Sequence, residues 1–304
     1  MNSKLGQNGR LTRIWLKFLI VPILITGIFF RFTNLDRKVY SYDESITSLR
    51  ISGYTWTEMV QQDFQGKPVS AAYLLAKYQQ INPEKSLFDT VKGLATEEPQ
   101  LPPLYFILAR FWAQLFGPTV AAVRSLSAWI SLLVFPSVYW LCWELFKSTS
   151  VGWMAVAIMT VSPFHVLYAQ EARPYMLFTV IVLLSSAILL RAIALTASPV
   201  SSKFIPAAWC IYAIAITFGL YTNLLFSLVS IAHTVYVIIA EKLRVSKTII
   251  VYLLAATAGT LSFTPWILVL FFNSQQVDKT VGFPHISVAF LSLFKPLILI
   301  TCRV

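Results

Sequence analysis

The sequence predicts an all-α fold, a polytopic bundle of about seven or eight transmembrane helices with one long loop after the first. Three observations carry that expectation. Hydrophobic residues make up 57% of the 304 and charged residues only 12%, about half the charged share of an ordinary soluble domain. The apolar residues gather into runs that reach the roughly 20 residues needed to cross a bilayer core. The basic residues gather between those runs, so the net charge of +11 follows from the positive-inside bias and calls for no nucleic-acid partner.

The first apolar run, Ile14–Phe30, has Lys4, Arg10, Arg13 and Lys17 at its start, which predicts a cytoplasmic tail over 1–13. It is too long for a signal peptide and no small-x-small cleavage site follows, so it reads as a retained span over 14–30. The later runs are Leu126–Phe146, Val151–Tyr168, Tyr175–Ala194, Ile205–Thr222, Leu224–Ala240 and Thr248–Phe272. A last run, Ile286–Thr301, is interrupted by Lys295-Pro296. The run "LPPLYFILARFWAQLFG" (101–117) starts with two prolines and contains Arg110 and Gln114. A charge at the centre of a span costs about 2.5–3.5 kcal/mol. If this run crosses the membrane, the basic loop Glu241–Lys247 falls outside. If it lies in the interface, that loop falls inside together with Lys147, Arg191 and Lys203. The second arrangement obeys the charge rule and is adopted. It gives an outer loop over 31–124 with juxtamembrane helices such as "SAAYLLAKYQQ", followed by a helical bundle over 125–304.

Several chemistries have no motif here. Cys142, Cys210 and Cys302 have neither metal nor redox spacing and read as small apolar residues. There is no glycine-rich phosphate loop, dinucleotide fingerprint or zinc pattern.

Three polar clusters fall on the outer side. "YSYDES" carries Asp43 and Glu44, "EEPQLPPLYF" carries Glu97 and Glu98, and "SPFHVLYAQEARPYML" carries His165, Glu171, Arg173 and Tyr175. The last needs only to join two spans, yet it holds a carboxylate and a guanidinium at the membrane face, where ionisable groups are functional candidates. The competing reading is a local Glu171–Arg173 ion pair with Tyr168 and Tyr175 as belt aromatics. Arg124 opens the second span at the same face. It suits a phosphate, which a guanidinium grips bidentately; the competing reading is snorkelling to the headgroups. Carboxylates on one loop and arginines on two others fit a reaction on an amphiphilic phosphate. One carboxylate can act as general base, two can share a divalent cation, and arginines can neutralise a phosphate leaving group.

With "YDES" after the first span, "PPLYFILARFWAQLFG" followed by "AAVRSLSA", and then "SPFHVLYAQEARPYML", the chain resembles the GT-C class of membrane glycosyltransferases. It is similar in particular to the group related to protein O-mannosyltransferases and the lipid A aminoarabinose transferase. The resemblance runs from about Arg13 to Phe272. It implies inverting transfer of a sugar from a polyprenyl-phosphate-linked donor to a lipid, glycan or protein acceptor. The site would face the periplasm at the inner membrane, among membrane lipids. It implies that Asp43 is the base with Glu44 beside it, that Glu171 is the second acidic position, and that Arg124 and Arg173 contact the lipid phosphate. His165 and Tyr175 join the expected substrate-binding set. A family histidine often precedes the double proline, where this chain has Leu101. Metal use varies in the class, so a divalent cation stays an open option. Family members usually continue through more spans, which implies a bundle shortened at its C-terminal end. Two other readings remain: a transporter or flippase for a lipid-linked sugar, and an inactive truncated member. Transporters show repeated halves and broken helices, and the sequence displays neither.

Overall fold

The computed structural model describes residues 19–66, 68–198 and 204–273. Among these every regular element is a helix. In chain order they are α1 (Leu19–Phe32), α2 (Tyr42–Ile51), α3 (Trp56–Asp63), α4 (Ala71–Tyr78), α5 (Leu87–Glu97), α6 (Leu104–Phe116), α7 (Val120–Leu132) and α8 (Val134–Phe146). Then follow α9 (Thr149–Val161), α10 (Pro163–Ala169), α11 (Tyr175–Ala197), α12 (Ile205–Thr222), α13 (Phe226–Ala240), α14 (Lys247–Leu261) and α15 (Thr264–Phe272).

The chain is a helical membrane protein. Three helical stretches are long and apolar enough to cross a bilayer: the continuous α7–α8 rod, α11 and α12. The number rises to five if α9–α10 and α14–α15 each count as one span. The difference from seven or eight has local causes. The start of the first run and all of Ile286–Thr301 lie outside the described residues. Helix α13 has 15 residues, about 22 Å at 1.5 Å per residue, against a hydrocarbon core of about 30 Å. Two of the remaining runs are bent by 62° and 49°.

Proline causes both bends. Pro163 and Pro265 sit in the first turns of α10 and α15, where a missing N–H is tolerated but the preceding helix cannot continue. Pro163 leaves the carbonyl of Met159 without its helical donor. Arg31 supplies one: its Nη2 donates to Met159 O at 3.1 Å, and Nη1 to Thr160 O at 2.9 Å and Gly27 O at 2.8 Å. Gly27 allows this approach, because a Cβ there would lie 2.7 Å from Thr160 O.

Helix α11 runs through the middle, packed against α7, α8, α10, α12, α13 and α14. One buried cluster joins Ile51 of α2, Tyr105 and Ala109 of α6, Val123 and Leu126 of α7, Ala169, Ala172 and Met176. It forms the floor on which the α1–α7 connection rests. Helix α6 belongs to that connection. Its 13 residues reach about 20 Å, short of a bilayer core. Its buried Arg110 donates to Ile51 O at 2.6 Å, to Thr90 Oγ1 at 3.2 Å and to Lys85 O. The arginine is thus hydrogen-bonded by neutral groups of the first loop rather than left bare in the run.

Candidate functional site

Helix α2 is started by its own sequence. Ser41 is the N-cap: its hydroxyl accepts from Glu44 N–H, while the Glu44 carboxylate accepts from Ser41 N–H. This reciprocal capping box satisfies two orphan donors and carries the Glu44 side chain inward. The neighbouring residue on the helix, Asp43, turns outward, with its side chain 55% exposed.

Glu44 is fully buried. Its Oε1 accepts from Arg124 Nε at 2.7 Å and Ala172 N–H at 2.9 Å. Its Oε2 accepts from Arg124 Nη2 at 2.8 Å and Ser41 N–H at 3.0 Å. All four lone-pair positions are thus in use. Burial alone would raise its pKa, but these bonds and the guanidinium charge outweigh burial and hold it below the ordinary value.

Arg124 is equally saturated. Besides Glu44, its Nη1 donates to Leu35 O at 2.6 Å and Lys38 O at 3.0 Å, and its Nη2 to Val39 O at 3.0 Å. All five N–H groups are engaged, and the guanidinium lies 5.2 Å from the centre of the Tyr40 ring. Tyr40 bonds Ser48 at 2.6 Å, and burial pushes its phenol up to about 12. The phosphate grip expected of Arg124 is therefore not available in this geometry. Arg124 ties the segment 35–39, helix α2 and the α10–α11 turn to the start of α7.

The turn Gln170–Pro174 supplies the remaining groups. The local Glu171–Arg173 pair of the competing reading does not form; each residue instead links to the first loop. Glu171 pairs with Lys38 at 2.8 Å. Arg173 turns to α2, with Nη2 at 4.0 Å from Asp43 Oδ2 and Nη1 at 3.4 Å from both Asp43 O and Thr47 Oγ1. These contacts are long for hydrogen bonds, and Arg173 Nε is buried with no partner. Arg173 is only 8% exposed, so it is a nearly buried cation whose donors are poorly used. Tyr175 lies beside Tyr168, ring centres 4.8 Å apart. His165 sits on α10 with its Nδ1 buried and unpartnered, and no contact ties it to Asp43 or Arg173 among the described residues.

Asp43, Glu44, Glu171, Arg124 and Arg173 therefore converge at one end of the bundle. The second cluster does not join them. Glu97 accepts from Trp56 N–H at 2.7 Å and Thr57 N–H at 2.9 Å, capping α3, and pairs with Arg50 at 2.7 Å. Glu98 pairs with the same arginine at 3.0 Å. Sequence reading missed Lys38, Ser41 and Arg50. The S-x-x-E spacing of Ser41 and Glu44 is the signal that would have marked Glu44 as a capping residue.

A divalent cation shared by Asp43 and Glu44 does not fit, because Glu44 has no lone pair left for it. Among the described residues no group of three or more His, Cys, Asp or Glu side chains is placed to hold a metal. No protein-family model matches the chain, and comparison with curated proteins and with solved structures gives no match either.

Proposed function

We propose that the protein is a membrane glycosyltransferase that moves a sugar from a polyprenyl-phosphate-linked donor to a hydroxyl acceptor, with inversion at C1. The observation that carries this reading is the pairing of an open carboxylate with an under-used guanidinium. Asp43 is exposed, while the adjacent Glu44 is consumed by structural bonds. Arg173 lies beside Asp43, nearly buried, with its Nε unpartnered.

In this reading Asp43 accepts the acceptor proton as the acceptor oxygen attacks C1. The bond from C1 to the phosphate oxygen breaks, and the lipid phosphate leaves with the electron pair. Arg173 stabilises the charge that develops on that phosphate. Glu44 and Arg124 position α2, and Lys38 with Glu171 fastens the turn that carries Arg173. The sidedness expected from charge places this end in the periplasm.

A second reading has observations of its own. Two apolar helix pairs, α9–α10 and α14–α15, are sharply bent, and His233 in α13 bonds Ser186 at 3.1 Å and Tyr212 at 3.0 Å among the bundle helices. Broken helices and polar groups within the bundle are transporter features, so a flippase for a lipid-linked sugar is the alternative. One experiment separates the two. The purified chain is placed in liposomes with a labelled polyprenyl-phosphate sugar and hydroxyl acceptors of the lipid, glycan and peptide classes, and both release of polyprenyl phosphate with labelling of an acceptor and movement of intact donor between leaflets are followed. Release without leaflet exchange supports the transferase. Exchange of intact donor without release supports the flippase.

A further inference from the structure

A small polar cavity of about 190 Å³ opens along α2, the helix that carries Asp43. It is lined by Tyr42, Arg50, Trp56, Thr57, Glu97 and Glu98. Tyr42 immediately precedes Asp43, and Arg50 lies eight residues further along the helix, about 12 Å at 1.5 Å per residue. The cavity follows the face of α2 that carries Tyr42, Ile46 and Arg50, and Tyr42 is the chain neighbour of Asp43. We infer that this cavity binds a neutral, hydroxyl-rich sugar ring and is the acceptor subsite; the word acceptor rests on the transferase reading, the binding does not.

Three observations select that ligand class. The first is aromatic surface left uncovered by the protein. Trp56 is 45% and Tyr42 71% exposed, although both are large enough to repay burial. They flank the cavity and offer flat apolar faces of the kind against which a ring's C–H face can stack.

The second is the sign of the charges. Two carboxylates and one guanidinium line the same space. The lining carries a net charge of −1, which disfavours an anionic ligand, and Arg50 already answers both carboxylates, so no unanswered pair of negative charges calls for a cation. A neutral polyol can donate a hydroxyl to a carboxylate oxygen without bringing an unpaired charge.

The third is rigidity. Arg50 is buried and fixed by Glu97, Glu98 and the Tyr54 carbonyl at 3.3 Å. Both Glu97 oxygens are occupied by Trp56, Thr57 and Arg50. The polar wall is therefore preorganised, which lowers the cost of binding a weakly held ligand. Glu98 is bonded through Oε2, so its other oxygen is the acceptor free to meet a hydroxyl. An apolar groove of about 300 Å³ adjoins the cavity and shares Tyr42, Ile46 and Trp56 with it, so the aromatic pair forms the ridge between polar and apolar halves.

The test is saturation-transfer NMR on the full chain in nanodiscs, with no donor present. The probes are neutral disaccharides (maltose, cellobiose and lactose), glucosamine as cationic comparator and glucuronate as anionic comparator. At least one neutral disaccharide is expected to receive saturation on its ring protons, more strongly than either charged sugar. Trp56→Ala and Tyr42→Ala, both at exposed positions, are each expected to weaken that binding tenfold or more, with an unchanged melting temperature as the folding control. Absence of transfer to every neutral probe overturns the inference. So does stronger binding of either charged sugar, or binding undiminished in both variants. Because no donor enters the experiment, sugar binding by a chain that transfers nothing would remove the enzyme reading and leave the subsite standing.

Discussion

Replacing Glu44 by Gln should unfold or severely weaken the α1–α7 connection, while the isosteric change one residue earlier, Asp43→Asn, should leave it intact. Four donors converge on the Glu44 carboxylate, two on each oxygen. Gln keeps one acceptor oxygen and serves two of them. Its amide nitrogen then faces two N–H groups as donor against donor. Arg124, fully buried, also loses its salt-bridge partner, the carboxylate in direct contact with it. Breaking a buried ion pair from one side costs about 3–5 kcal/mol, because the remaining charge is left uncompensated. At roughly 2–4 °C per kcal/mol for a domain of 150–250 residues, the melting temperature should fall by about 6 °C or more. Asp43 is exposed and its only ionic contact among the described residues is at 4.0 Å, so Asp43→Asn should stay within about 0.5 kcal/mol, as surface changes do. Thermal unfolding of both variants in identical nanodiscs, followed by intrinsic fluorescence, measures the contrast. Equal melting temperatures, or a larger loss in Asp43→Asn, would refute the division of labour between the two acids.

Arg124→Lys should also destabilise, on the order of 2–5 kcal/mol, since three rotatable donors cannot replace a five-donor fork that holds Glu44 and three carbonyls; the same melting assay checks it. Arg173→Gln should leave the melting temperature nearly unchanged but weaken binding of a polyprenyl phosphate about 10- to 100-fold, the worth of a charge-assisted contact of about 1.5–3 kcal/mol; flotation with labelled lipid phosphate reads this out. The pH dependence follows from Glu44, whose pKa in the fold lies below its ordinary 4.5. As pH falls, the unfolded chain takes up that proton first. The pair's contribution is therefore complete above about pH 4.5 and is lost as pH drops towards the folded value. Wild-type melting temperature should decline below that point, and the decline should be shallower in Glu44→Gln.

Much of the layout was legible in the chain because hydropathy and charge act locally. The spans Tyr175–Ala194 and Ile205–Thr222 match α11 and α12 to within three residues, since no proline breaks the interior of either run and Arg191 falls near the end of the first. The breaks at Pro163 and Pro265 were hidden inside runs that are apolar throughout. Hydropathy does not register a missing N–H, although the prolines themselves were in view. The convergence of "YDES", Arg124 and "QEARP" at one end of the bundle was foreseen. Which member does what was not, because the partners lie far apart in sequence. Glu44 meets Arg124 across 80 residues and Ala172 across 128, and no spacing rule reports such a contact. The Ser41-x-x-Glu44 pattern was the one local hint that these adjacent acids differ.

The most direct measurement is sugar transfer from a polyprenyl-phosphate donor by the purified chain, wild type beside Asp43→Asn, with folding of both confirmed by melting temperature. The account predicts transfer by the wild type and a loss of about 10²- to 10⁴-fold in the variant, the usual worth of a general base, at equal stability. Undiminished transfer by Asp43→Asn would contradict it.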